Sequence, residues 1–219
     1  MNFQKTDIPD FHSHRLSAGA PCLYNLLPPF QLPATPHLFL SAGLHPWYID
    51  ENWLLHIDHL RTLVSNHHLK AIGETGLDTL RGPSLELQTR AFEAHVVLAK
   101  EQKLPLILHA VRTHHVIITL LKKHQFTGPV IFHGFHSSWK VAKPLIDEGH
   151  FLSIGKAVLN ASAPFLETLC FTPLSQLLIE TDDTQTPIRE IFRAVARFKQ
   201  IPEEKLLEHL LEKFYSFFG

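Results

Sequence analysis

Pro9-Asp10-Phe11-His12-Ser13-His14 sets two histidines one residue apart at the end of a strand-like run. Side chains alternate sides along a strand, so His12 and His14 share a face and aim two imidazoles at one point. Imidazole is the commonest protein metal ligand, and such a pair becomes a site once other His, Asp or Glu side chains reach it.

Working outward, seven more short apolar runs follow the one at Asp7–His12: Cys22–Leu26, His37–Gly43, Lys70–Glu74, Pro105–His109, Val130–Phe132, Phe151–Ile154 and Leu177–Glu180. Most are separated by segments with helical periodicity. Strands alternating with helices pair in parallel, and eight of them predict an α/β fold, a (β/α)8 TIM-type barrel ahead of an open doubly wound sheet. Residues 1–219 read as one domain, with no internal repeat or linker. Between the second and third strands Pro28, Pro29, Pro33 and Pro36 leave little room for a helix, so the barrel is expected to be abbreviated there. Helices are predicted over Ser84–Lys103, from Ser137 and Ser138 to Gly149 with Pro144 inside, over Ile188–Lys199, and over Glu203–Phe217 with Pro202 as first helical residue.

Composition narrows the class. At 219 residues, with 45% hydrophobic content, the chain can bury a substantial core. A formal net charge of −1 argues against a dedicated basic surface for long polyanions. Two distant cysteines, Cys22 and Cys170, suit a reducing compartment. No stretch reads as a secretory signal or membrane span, so a cytoplasmic location is expected, with no membrane partner.

Six ligand-type side chains close the strand-like runs: His12 and His14 on the first, Glu74 on the fourth, His109 on the fifth, His133 on the sixth and Asp182 on the eighth. In a parallel barrel those ends meet at one rim, where the active sites of this architecture form. Alone, His109 or His133 would read as a core histidine, and Asp182 as a helix cap, a role Asp183 fits better. Together, four imidazoles and two carboxylates suit two divalent transition-type cations, which activate water and polarise a phosphoryl or carbonyl oxygen.

His12-Ser13-His14, Ala42-Gly43-Leu44-His45-Pro46-Trp47, Ile72-Gly73-Glu74-Thr75-Gly76-Leu77-Asp78, Leu104-Pro105 through His109, Phe132-His133-Gly134-Phe135 and Leu178-Ile179-Glu180-Thr181-Asp182 resemble, in order, the signature segments of the TatD family of metal-dependent hydrolases, often described as deoxyribonucleases. The resemblance spans nearly the whole chain, which is shorter than most members and closer to a small bacterial subgroup. It implies that His12, His14, Glu74 and Asp182 bind one ion and Glu74, His109 and His133 the other, with Glu74 as bridge. Zn, Mn, Mg or Co are the candidate metals. Asp182 and Glu74 are the implied catalytic carboxylates, with a metal-bound hydroxide as nucleophile. The expected reaction is hydrolysis of a phosphodiester, the substrate being DNA or RNA ends or a small phosphoester.

The chain departs from the family at Leu16, where an aspartate is usual, at Thr79 in place of an aromatic, and at Ala110-Val111-Arg112 after the fifth-strand histidine. These departures keep two alternatives open: an amide, lactone or phosphomonoester hydrolase acting on a small molecule, and a non-catalytic metal-binding protein. His45 and Arg112 are candidate substrate contacts, the latter as a phosphate clamp. His136 is a weaker site candidate. His67-His68 and His114-His115 read as solvated pairs, and Phe214, Phe217 and Phe218 as core.

Overall fold

The computed structural model describes residues 7–16, 20–34, 39–66 and 69–219. Its strands are β1 (Asp10–Ser13), β2 (Cys22–Leu26), β3 (Phe39–Ala42), β4 (Ala71–Asp78), β5 (Leu106–Val111), β6 (Val130–Phe132), β7 (Phe151–Ile154) and β8 (Leu177–Ile179). They form one sheet in chain order, with parallel pairing between β1 and β2, β3 and β4, β4 and β5, and β7 and β8. The helices are α1 (Trp53–Ser65), α2 (Leu85–Gln102), α3 (His114–Lys123), α4 (Trp139–Asp147), α5 (Ala163–Phe171), α6 (Ile188–Lys199) and α7 (Glu203–Phe218). This is the (β/α)8 barrel class. Among the described residues no helix separates β2 from β3, and none is long and apolar enough to cross a membrane. The start of the third expected strand, at His37, and the pair His67-His68 lie outside the described residues.

Local chemistry sets these boundaries, and in three places it corrects the sequence expectation. The strand expected to stop at Glu74 runs on to Asp78, so Glu74 sits inside β4. Gly76 permits this: its φ is 147°, and a Cβ there would lie 1.9 Å from the His109 carbonyl oxygen of β5. Pro202 caps α7 from outside the helix, because its ψ of 142° is extended. Asp183 does not cap α6, whose N-cap is Pro187; it is exposed and lies 3.5 Å from Lys156. Helix α2 starts as its sequence predicts, with Ser84 Oγ accepting from the Leu87 N–H at 3.3 Å. Helix α4 begins directly after Ser138 and carries Pro144 within it.

The chain divides into two compact units, Met1–Tyr24 with Phe132–Gly219, and Asn25–Ile131. In the first, β7 and β8 run in register, Leu152 opposite Leu177 and Ile154 opposite Ile179. A parallel bridge joins Ser13 to Asp182, with the Asp182 N–H donating to the His12 carbonyl at 2.9 Å and the His14 N–H to the Asp182 carbonyl at 3.0 Å. Beneath it Phe11 packs edge-on against Phe214 and tilted against Phe218, at ring distances of 5.4 and 6.0 Å. Leu206, Leu210, Phe214 and Phe218 recur every fourth residue on the buried face of α7, each worth roughly 1.5–3 kcal/mol of transfer free energy. Phe217, expected in the core, is half-buried with its ring 4.8 Å from Phe151.

In the second unit β4 is buried along its whole length. Helix α2 buries Ala91, Phe92, His95, Val96, Leu98 and Ala99. Gln88, on the first turns of α2, is also buried, and its side chain satisfies the backbone of the segment after β4. Its Oε1 accepts from the Asp78 N–H, and its Nε2 donates to the carbonyls of Asp78, Arg81 and Pro83. That ties residues 78–83 to the first turns of α2.

Candidate metal centre

In the first unit, strand alternation places His12, fully buried, and His14, partly exposed, toward Asp182. The Asp182 Oδ1 lies 3.6 Å from the Nε2 of each. Asp182 follows β8 and has a φ of 55°, a left-handed conformation that aspartate tolerates better than most residues. The His133 ring, just past β6, is 4.6 Å from that of His12, and the ligand atoms of His12, His133 and Asp182 all lie within 4.8 Å of one another.

Other carboxylates hold these groups in place. Asp10 accepts from the Thr181 hydroxyl at 2.6 Å and the Thr181 N–H at 3.0 Å, tying β1 to the residue before Asp182. Burial pushes the Asp10 carboxyl up to about 7 against those hydrogen bonds. Glu180 is fully buried; its Oε1 accepts from the Gly134 N–H at 2.5 Å and lies 3.4 Å from His133 Nδ1. Glu180 and Asp182, with His136 and Lys156, line a cavity of about 230 Å³. His136 is exposed, and its Nδ1–H donates to the Gly134 carbonyl.

In the second unit Glu74, His109 and His45 are brought together, their ligand atoms also within 4.8 Å of one another. Asn25 places Glu74 by accepting from its backbone N–H at 2.7 Å and from the Ser41 hydroxyl at 2.9 Å. His109 lies between two carboxylates: Nδ1 is 3.1 Å from Glu74 Oε1, and Nε2 is 3.2 Å from Asp78 Oδ2. Asp78 also accepts from the Trp47 indole at 2.6 Å and the Leu80 N–H at 2.7 Å. Burial raises its carboxyl, but these donors and His109 outweigh it and hold the group below its usual range. Asp78 is therefore a carboxylate suited to take the His109 Nε2–H, which leaves the Nδ1 lone pair facing Glu74. A lone pair and a carboxylate oxygen 3.1 Å apart are a donor set that a divalent cation satisfies, with Asp78 orienting the imidazole from behind.

His45 behaves differently. Its Nδ1 accepts from the Trp47 N–H at 3.1 Å, so its Nε2 carries the proton and donates to Glu74 Oε1 at 3.0 Å. Although its nitrogen lies near the donor set, this tautomer makes His45 a hydrogen-bond donor rather than a ligand.

The remaining expected residues fall outside these clusters. Arg112 is exposed just beyond β5 with a φ of 58°. His114 and His115 begin α3, and Leu16 is 51% exposed. The supporting residues Asp10, Asn25, Asp78, His95 and Glu180 received no role from sequence reasoning. Asp78 and Glu180 do lie within recognisable motifs; Asn25 and His95 carry no local signal.

The family model described as TatD related DNase matches residues 31–219. An uncharacterized metal-dependent hydrolase of Escherichia coli, YjjV, is 26% identical over 199 residues, covering 83% of this chain and 77% of its own. The 3'-5' ssDNA/RNA exonuclease TatD of Salmonella typhimurium is 30% identical over 182 residues, covering 81% of this chain and 69% of its own. The crystal structure of the E. coli YjjV protein superposes with a TM-score of 0.75 at 26% identity, over 84% of this chain and 78% of that one.

Proposed function

The chain belongs to the TatD related DNase family, metal-dependent hydrolases acting on ester bonds, and we propose that it cleaves phosphodiesters at the ends of single-stranded DNA or RNA using two divalent ions. The observation that carries this reading is the close set of His12, His133 and Asp182, ligand atoms within 4.8 Å, with His14 against the same Asp182 oxygen. These four residues would hold one ion, and Glu74 with His109 the other. Three imidazole nitrogens and a carboxylate suit Zn, Mn or Co, and Mg is the further candidate. Bound there, such ions supply Lewis-acid polarisation of the phosphoryl group and a lowered pKa for water.

The protein's own groups do the rest. Asp182 accepts the proton of the attacking water as the water oxygen bonds to phosphorus, and it returns that proton to the departing oxygen as the ester P–O bond breaks. His45 gives its Nε2 proton to Glu74 and so holds that carboxylate in place, and the exposed Arg112 contacts a flanking phosphate. A net charge of −1 gives little attraction to long polyanions, which favours short ends over long duplexes.

The test is hydrolysis of bis(p-nitrophenyl) phosphate and of short single-stranded oligonucleotides by protein loaded in turn with Mn²⁺, Zn²⁺, Co²⁺ and Mg²⁺. Turnover that disappears in Asp182→Ala supports the reading. Absence of turnover of both substrates with all four ions overturns it.

A further inference from the structure

Beside the second donor set stands a surface that the chemistry above leaves unused. Tyr48 ends the helical turn Pro46–Tyr48, is 62% exposed, and has its ring 5.5 Å from that of His45. His45 in turn donates to Glu74, so the open phenol ring lies one side chain away from the proposed chemistry. Next to it the Arg81 guanidinium lies over the Trp47 ring at 4.6 Å, and the Trp47 indole is anchored on Asp78. An isolated exposed aromatic needs no explanation. This one sits in a frame that does not move freely: Gln88 grips the carbonyl of Arg81, Asp78 accepts from the Leu80 and Arg81 N–H groups, and the His45 imidazole caps the turn that carries Tyr48.

A fixed, exposed aromatic face beside a cation is the pairing by which proteins hold single-stranded nucleic acid, the base stacking on the ring and the cation meeting a phosphate. Resting on the phosphodiesterase reading above, we infer that Tyr48 is the stacking platform for the base of the nucleotide entering the site, and that Arg81, held flat by Trp47, meets a flanking phosphate. A base paired within a duplex has no free face to offer, so the platform selects single strands. Removal of one base–aromatic stack weakens binding by about tenfold, and loss of one phosphate contact lowers the salt slope by about one.

The experiment measures fluorescence anisotropy of a fluorescein-labelled oligothymidylate with phosphorothioate linkages, which resist cleavage, on Mn²⁺-loaded protein. Tyr48→Ala is expected to weaken binding about tenfold, Tyr48→Phe to stay within twofold of the wild type, and Arg81→Ala to flatten the salt dependence. Circular dichroism verifies that each exposed-site variant is folded. Equal affinity of folded Tyr48→Ala and wild type overturns the inference. So does a wild type that binds no oligonucleotide; if that protein still hydrolyses bis(p-nitrophenyl) phosphate, the stacking role falls while the hydrolase reading stands.

Discussion

The imidazole of His95 accepts a hydrogen bond from the Leu44 backbone N–H at 2.9 Å through Nε2, while its Nδ1–H donates to the Ala91 carbonyl at 2.7 Å. One buried ring thus joins α2 to the residue before His45. The bond from Leu44 needs the neutral form, and burial lowers the His95 pKa to about 4 from an ordinary 6.5, against the Ala91 carbonyl, which favours the protonated ring. A base whose folded pKa is depressed binds its proton more readily when unfolded, so stability is fully present above the unfolded value and is lost as pH falls toward the folded one. Between pH 7.5 and pH 5 the wild type should lose about 2 kcal/mol of unfolding free energy through this group. Urea denaturation at the two values measures it. His95→Leu should be less stable at pH 7.5, by about 1–3 kcal/mol for the orphaned Leu44 N–H, and should lack that share of the pH dependence. An unchanged pH slope in His95→Leu would rule the linkage out.

Asp78 supports His109 from the side away from Glu74. Its removal should leave the fold and remove the orientation. Asp78→Ala is expected to weaken divalent-metal affinity roughly 10- to 100-fold, as loss of a carboxylate behind a ligating histidine does. Competition against a chromogenic chelator gives the affinity, and the emission of Trp47, whose indole loses its acceptor, should shift in the same variant. Metal affinity equal to that of the wild type would assign Asp78 to loop structure alone.

The contrast between His109 and His95 shows what the sequence could and could not convey. His109, His133 and Asp182 stand at the ends of apolar runs in a regular strand–helix alternation, so pattern and residue type were enough to single them out as candidates. Two of the eight strand assignments missed at an end by three residues or more. The largest miss was β4, because two glycines that look like breakers permit close approach of β4 and β5 instead. His95 lies on an apolar helix face, indistinguishable by spacing from Phe92 or Val96, and its partner Leu44 is 51 residues away. Asn25 is equally silent: its role is to accept from Ser41 and Glu74, a relationship that exists only once β3 and β4 are side by side. Candidate ligands carry their chemistry in their residue type, whereas the groups that position them acquire a role only from packing.

Gly76 offers a direct test of the close approach between β4 and β5. A Cβ at this position would meet the His109 carbonyl oxygen at 1.9 Å and its carbonyl carbon at 2.9 Å, and the φ of 147° is unfavourable for any L side chain. All three of the nearest atoms are His109 backbone, so no flexible side-chain end is there to yield. Gly76→Ala is expected to destabilise the protein by more than about 3 kcal/mol, seen as loss of soluble yield or a large drop in the denaturation midpoint. Gly149→Ala is the control: its φ is also positive, at 81°, but no atom lies within 4 Å of the added Cβ. Its cost should be confined to backbone strain of about 1 kcal/mol. Equal effects at both positions would show that strain, and not the contact with β5, makes glycine necessary at Gly76.

Asp182 faces two imidazoles with a single oxygen, so ligation and proton transfer are both asked of it, and two substitutions separate them. Asp182→Asn keeps an oxygen able to coordinate but loses the charge and the basicity, whereas Asp182→Ala loses all three. Metal analysis should find the ion of the first unit weakly held in Asp182→Asn and absent from Asp182→Ala after dialysis, with the Glu74–His109 ion kept in both. Turnover should fall by 10² or more in both, because a positioned general base contributes about 10²- to 10⁴-fold. If Asp182→Asn kept its metal and turned over within tenfold of the wild type, Asp182 would be a ligand only, and the proton would have to leave by another group.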